Sequence, residues 1–149
     1  MADAVVEETR AEGGTAVASH ENLESDEACA ALVGRAVGEL GRLDVVGNNA
    51  GLVVYEEIED ADRSWDVLRR VHIDASFHVS RAAFPVMKSL EYGRFVFTTS
   101  GIAMSAEDTR PGLAAYCMGK MRGAGIDFGA DPAEPEQIAE RWAEIASDG

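Results

Sequence analysis

Leu43-Asp44-Val45-Val46-Gly47-Asn48-Asn49-Ala50-Gly51 is the stretch on which the fold turns. Leu43 to Asn48 is a compact apolar run with the length of a buried strand, and Asn48-Asn49-Ala50-Gly51 places turn-forming residues at its carboxyl end. On its amino-terminal side, Ser25-Asp26-Glu27 precedes a stripe of Ala28, Leu32, Val33, Ala36 and Leu40 at helical spacing, so a helix leads into the strand. On its carboxyl side a long loop runs through Tyr55 and Asp60. Trp65, Leu68, His72, Ala75, Val79, Ala82, Val86 and Leu90 then recur every three or four residues between Asp62 and Leu90. This spacing predicts one long helix, with Pro85 bending its last turns.

Tyr92-Gly93 closes that helix, Arg94 to Thr99 supplies a second strand built on Phe95, Val96 and Phe97, and Pro111-Gly112 precedes a helix starting near Leu113. Further upstream, Ala2 to Arg10 reads as a helix stopped at Gly13-Gly14, and Thr15 to Ser19, centred on Val17, as a third strand. Strands separated by helices imply parallel crossovers and an α/β sheet with helices on both faces, whose ligands sit beyond the carboxyl ends of the strands. Asn48 to Gly51 and Ser100-Gly101 fall at such ends. The expected division is a first unit over 1–120 and a second over 121–149, where Gly123, Gly125, Gly129, Pro132 and Pro135 make a flexible stretch before a helix from Pro135 to Ala146.

The gross composition narrows the partners. The chain has 149 residues and 46% hydrophobic content, enough for one core, and a formal net charge of -14 that disfavours nucleic acid and anionic membrane surfaces. No apolar run has the length of a membrane span, and the acidic start Met-Ala-Asp-Ala-Val-Val-Glu-Glu is unlike a signal peptide. Cys29 and Cys117, without metal-ligand spacing, suit a reducing compartment, so a cytoplasmic protein with no bound metal is expected. His20 and His78 read as surface or loop residues.

Tyr116 and Lys120 stand four apart on a predicted helix, which puts phenol and ammonium on one face. A free tyrosine has a pKa of about 10, and a neighbouring cation favours the phenolate; Lys120 would be that cation. Alone, the pair is also what a solvated helix face can show by chance. His72, on the apolar stripe of its helix, reads equally as a packed core histidine.

Three motifs together supply a context. Leu43 to Gly51, Gly93-Arg94-Phe95-Val96-Phe97-Thr98-Thr99-Ser100 and Tyr116-Cys117-Met118-Gly119-Lys120 occur in the order and approximate spacing of the short-chain dehydrogenases, which the chain resembles from Ala2 to Lys120. Val71-His72-Ile73-Asp74-Ala75-Ser76-Phe77 with Arg81-Ala82-Ala83 is similar to their hydroxyacyl-CoA dehydrogenase-like branch. The resemblance implies an incomplete Rossmann-like, doubly wound parallel sheet, NAD or NADP as cofactor, and a small-molecule alcohol or carbonyl as substrate. It further implies Tyr116 as general acid/base, Ser100 hydrogen-bonding the substrate oxygen, and Lys120 holding the nicotinamide ribose. Asn48, Asn49, Ala50 and Gly51 would line the cofactor cleft together with Tyr116 and Lys120. His72 would stand at the fourth catalytic position, where most members carry asparagine, and a homo-oligomer would form through the long helix and the Tyr116 helix.

Two parts of the family pattern are missing from this sequence. The Gly-x-x-x-Gly-x-Gly turn that holds a pyrophosphate has no counterpart in strand-turn-helix context: Gly34, Gly38 and Gly41 run down a helix end, and Gly119, Gly123 and Gly125 overlap Lys120. The strands expected after the catalytic helix give way to the proline-rich stretch. The expectation is therefore a truncated or internally deleted family member with impaired activity, three strands and poorly covered edges. The alternative is a non-catalytic oligomerisation or interaction module of the same descent.

Overall fold

The computed structural model describes residues 2–104 and 112–121. The expected flexible stretch and terminal helix beyond Met121 lie outside them, as does Pro111. Within them the order is α1 (Ala2–Ala11), α2 (Asp26–Leu40), β1 (Val45–Asn48), a 3-10 turn (Ile58–Asp60), α3 (Asp62–Arg69), a π-helical turn (Arg70–Asp74), α4 (Ala75–Ser89), β2 (Arg94–Phe97), α5 (Gly101–Met104) and α6 (Ala114–Met121).

Local chemistry accounts for the boundaries of α2. The Ser25 hydroxyl accepts the Ala28 N–H at 3.1 Å, Asp26 and Glu27 place negative charge in the first turn, and Gly41 ends the helix at φ 83 with its N–H returned to the Val37 carbonyl. β1 and β2 pair in parallel, Val46 opposite Phe95 and Asn48 opposite Phe97. The helical connection between them is the crossover that a parallel pair requires.

One face of this pair is packed. Cys29 and Val33 of α2, Val46 of β1, and Val79, Ala83 and Met87 of α4 form a buried cluster, with Leu32, Leu43 and Phe95 packed against it. The opposite face carries Val45 and Val96, each 54% exposed, so among the described residues the expected helices cover one face. A second, smaller cluster of Ala61, Leu68 and Ala115 joins α3 to α6, with Leu52, Val54, Trp65 and Tyr116 around it.

Three sequence expectations change. Thr15 to Ser19 forms no regular element and joins no ladder, and the sheet has two strands among the described residues. Arginine side chains take the carbonyls a ladder would use: Arg10 donates to Ala16 O at 3.0 Å and Arg35 to Ala18 O at 3.3 Å. The predicted long helix is continuous from Asp62 to Ser89 but is interrupted by the π turn, and its buried stripe beyond Val79 centres on Ala83 and Met87, leaving Leu90 exposed. The α4 residues facing Cys29 and Val33 decide this, each buried residue following the last by four. The segment after Ser100 begins with the short helix α5, which packs on α6.

Candidate active site

The carboxyl ends of both strands and the start of α6 meet at one corner. The Asn48 carbonyl accepts the Thr98 N–H at 3.1 Å, extending the pairing of β1 with β2 beyond the ladder, and the Asn48 amide donates to Ser80 Oγ of α4 at 3.2 Å. These bonds fix the start of the Asn48–Gly51 turn to the sheet on one side and to the long helix on the other. Asn49 follows in a tight turn, its N–H on the Gly47 carbonyl at 3.0 Å, and Asn49, Ala50 and Gly51 are exposed.

Lys120 lies under that turn. Its side chain is buried, with the residue 8% exposed, and its Nζ donates to the Thr98 carbonyl at 3.4 Å. Thr99 Oγ1 donates to the Lys120 carbonyl at 3.3 Å, tying the end of α6 to the strand end. A Cβ on Gly51 would stand 2.9 Å from Lys120 Nζ and 3.1 Å from His72 Nε2, so a side chain there would push the ammonium or the imidazole aside. A buried ammonium is costly unless it is hydrogen-bonded. The bond to Thr98 O engages one of its three donors and leaves two for a ligand.

His72 occupies the middle of the π turn and is 7% exposed. Its Nε2 accepts the Leu52 N–H at 3.1 Å, and its ring meets Tyr116 edge-on, centroids 5.6 Å apart at 79°. Burial first, then the Lys120 charge, hold its pKa below the ordinary 6.5. Tyr116 is half-buried on the same α6 face as Lys120, with part of its ring against the Leu68 cluster. Ser100 is half-buried between β2 and α5.

The structure thus brings His72, Gly51, Tyr116 and Lys120 into one neighbourhood, with Ser100 at the adjoining strand end and Asn48 anchoring the turn. Sequence reasoning missed the Leu52 N–H, the Thr98 carbonyl and Gly119. Gly119 is the one with a legible signal: a glycine in a helix interior costs about 1 kcal/mol against alanine, which asks for a steric reason. The other glycine series behave as helix features, Gly34 and Gly38 lying within α2 with open space where a Cβ would stand; Gly123 and Gly125 lie outside the described residues. His20 is an exposed residue bonded to Asp3, and His78 sits beside Asp26 at the start of α2.

A cavity of about 220 Å³ opens on the other side of the turn, lined by Leu32, Val33 and Ala36 of α2, Val46 and Gly47 of β1, and Ala75 and Val79 of α4, with Asn48 to Ala50 at its rim. It follows the edge of β1 that β2 does not use. Its lining is apolar, and the catalytic candidates Tyr116, Lys120 and His72 are not part of it.

Comparison with known proteins places this geometry. A family model described as short chain dehydrogenase matches residues 1–128. Mouse peroxisomal multifunctional enzyme type 2 is 45% identical over 102 residues, covering 66% of this chain and 13% of the mouse protein. Versicolorin reductase 1 of Aspergillus parasiticus is 35% identical over 103 residues, 68% of this chain and 38% of its own length. Among solved structures, NAD+-bound xylitol dehydrogenase superposes with a TM-score of 0.73 at 25% identity, over 80% of this chain and 46% of that one. A metagenomic short-chain oxidoreductase in complex with NADP gives 0.73 at 28% identity, over 82% and 54%. The chain therefore spans about half of these two structures and well under half of the two curated relatives.

Proposed function

This chain belongs to the short-chain dehydrogenase family, and from that premise we propose that it carries the catalytic face of an NAD(P)-dependent oxidoreductase interconverting a small-molecule alcohol and carbonyl. The observation that carries the reading is Lys120: an ammonium held in a buried position beneath the close approach of Gly51, on the same helix face as Tyr116. Its two remaining donors fit the hydroxyls of a nicotinamide ribose. NAD or NADP, when bound, supplies or accepts the hydride. Tyr116 gives or takes the proton at the substrate oxygen, Ser100 donates a hydrogen bond to that oxygen, and Asn48, Asn49, Ala50 and Gly51 line the side of the cleft where the ribose approaches the backbone. His72 is the fourth member of the set, behind Tyr116.

The resemblance of Val71 to Phe77 and Arg81 to Ala83 favours the hydroxyacyl-CoA branch for the substrate. Both cysteines are free thiols, which suits the cytoplasm, although the mouse relative is named as peroxisomal. No described helix is long and apolar enough to cross a membrane.

Calorimetric titration of the full chain with NADH and with NADPH tests the reading. Saturable binding that Lys120→Ala weakens at least tenfold, and Tyr116→Phe leaves nearly intact, is the expected result; no binding by a folded, monodisperse sample would overturn it. One observation favours the second reading, a non-catalytic oligomerisation module. Phe77 and Phe84 are both exposed on α4, with the Arg81 guanidinium 5.6 Å over the Phe77 ring. Self-association lost on Phe84→Asp, without nucleotide binding, would establish that reading in place of the first.

A further inference from the structure

The histidine at position 72 stands in the catalytic corner, yet its surroundings do not suit proton transfer. Its Nε2 lone pair is occupied by the Leu52 N–H at 3.1 Å, which requires that nitrogen to be unprotonated. A neutral ring then carries its proton on Nδ1. That nitrogen is buried with no hydrogen-bond partner in the structure and faces Gly119, where a Cβ would stand 2.9 Å away. Protonating Nε2 would break the Leu52 bond and add a positive charge to the corner that already holds Lys120. Nε2 is committed to the Leu52 N–H, and Nδ1 is enclosed against Gly119 without a partner, so neither is placed to carry protons to a substrate.

We infer that His72 is the positioning residue of this site: a neutral Nδ1–H imidazole that clamps the Gly51-Leu52 turn against the α6 face bearing Tyr116 and Lys120, with Gly119 as the steric recess that admits the ring. The clamp holds three elements at once. From the π turn it takes the Leu52 amide, it presses edge-on against Tyr116 at 5.6 Å, and it stands against the backbone of α6 at Gly119. The π turn is part of the device, since local departures from α-helical register re-aim a side chain and gather at functional sites. Glycine at 119 follows from the same geometry. A helix-interior position that could gain stability from alanine keeps glycine because a methyl group there would collide with the imidazole.

The site served by this clamp is the one proposed above, but its geometry can be tested with no cofactor present, so failure of the dehydrogenase reading and failure of the clamp give different results. Long-range 1H–15N spectra of the histidine-labelled full chain at neutral pH, with the signal assigned by its loss in His72→Phe, should show His72 as the neutral Nδ1–H tautomer. An Nε2–H tautomer, or a doubly protonated ring, overturns the inference. Amide exchange provides the second reading. Leu52 exchange should accelerate about tenfold in His72→Phe, the loss of one buried hydrogen bond, and in Gly119→Ala, whose methyl displaces the ring. It should recover in His72→Gln, whose side-chain carbonyl can accept the same N–H. Unchanged exchange in the folded Gly119→Ala variant also overturns it. A variant that fails to fold leaves the tautomer of the unaltered chain as the deciding measurement.

Discussion

The two sides of the Asn48–Gly51 turn are built to opposite standards. On the side of α6, Gly51, His72, Lys120 and Gly119 approach so closely that an added methyl group would fall within 3.1 Å of a side-chain nitrogen. On the side of α2, the same turn borders an apolar cavity of about 220 Å³. Tight packing coincides with the groups proposed for chemistry, and slack with the α2 side of the turn. Positional precision is therefore concentrated around the groups proposed for catalysis, where alignment matters most.

That contrast can be broken at its strongest point first. Leu68 is fully buried beneath the catalytic corner, and Leu68→Ala should cost about 3 kcal/mol in chemical denaturation; a cost under about 1 kcal/mol would show that this side is no better packed than the other. Next, Gly51→Val should destabilise by about 2 kcal/mol through overpacking against Lys120 and His72. By contrast Gly47→Ala, on the exposed sheet face, should be neutral or stabilising by about 0.5 kcal/mol, because a strand glycine gives up entropy and meets no clash. Equal effects would erase the distinction. In the slack region, Ala36→Leu should raise stability by about 1 kcal/mol by filling part of the cavity, read as a higher urea midpoint. A lower midpoint would mean that the space is smaller than its lining implies.

The gentlest probe is pH. The His72 pKa lies below 6.5, by burial first and the Lys120 charge second, so between the folded value and about 6.5 the unfolded chain binds the extra proton. Stability from this group is complete above about pH 6.5 and declines as pH falls through that window. Lys120 and Tyr116 face the ring from α6, while Arg69, Arg70 and Asp74 flank it on its own turn, with Arg69 paired to Asp74 and Arg70 to Glu24. His72→Gln should flatten the decline measured by urea unfolding across that range; an unaltered slope would assign it to other groups.

Much of this was legible in advance where the cause is local. Ser25 and Gly41 announce the ends of α2, the run from Leu43 announces β1, and the four-residue spacing of Tyr116 and Lys120 announces a shared helix face. Reading failed where distant residues decide. Nothing in Arg70 to Asp74 signals a π turn, which is settled by what His72 meets across space at Leu52 and Gly119. Thr15 to Ser19 has the composition of a short strand, yet its carbonyls at Ala16 and Ala18 are claimed by Arg10 and Arg35. The stripe on α4 was read one residue off past Val79 because both Ala82 and Ala83 are apolar, and only packing against α2 shows which turns inward.

Gly119 carries a consequence for how this site can change. Because its missing methyl group is the space into which the His72 ring reaches, the two positions are open to substitution in one order only. A shorter side chain at 72 first leaves room for alanine at 119 and the helix propensity that comes with it; alanine first forces two groups into the same volume. History at this corner is directional, and a descendant that had taken the permitted path could not restore the histidine without first giving the methyl group back.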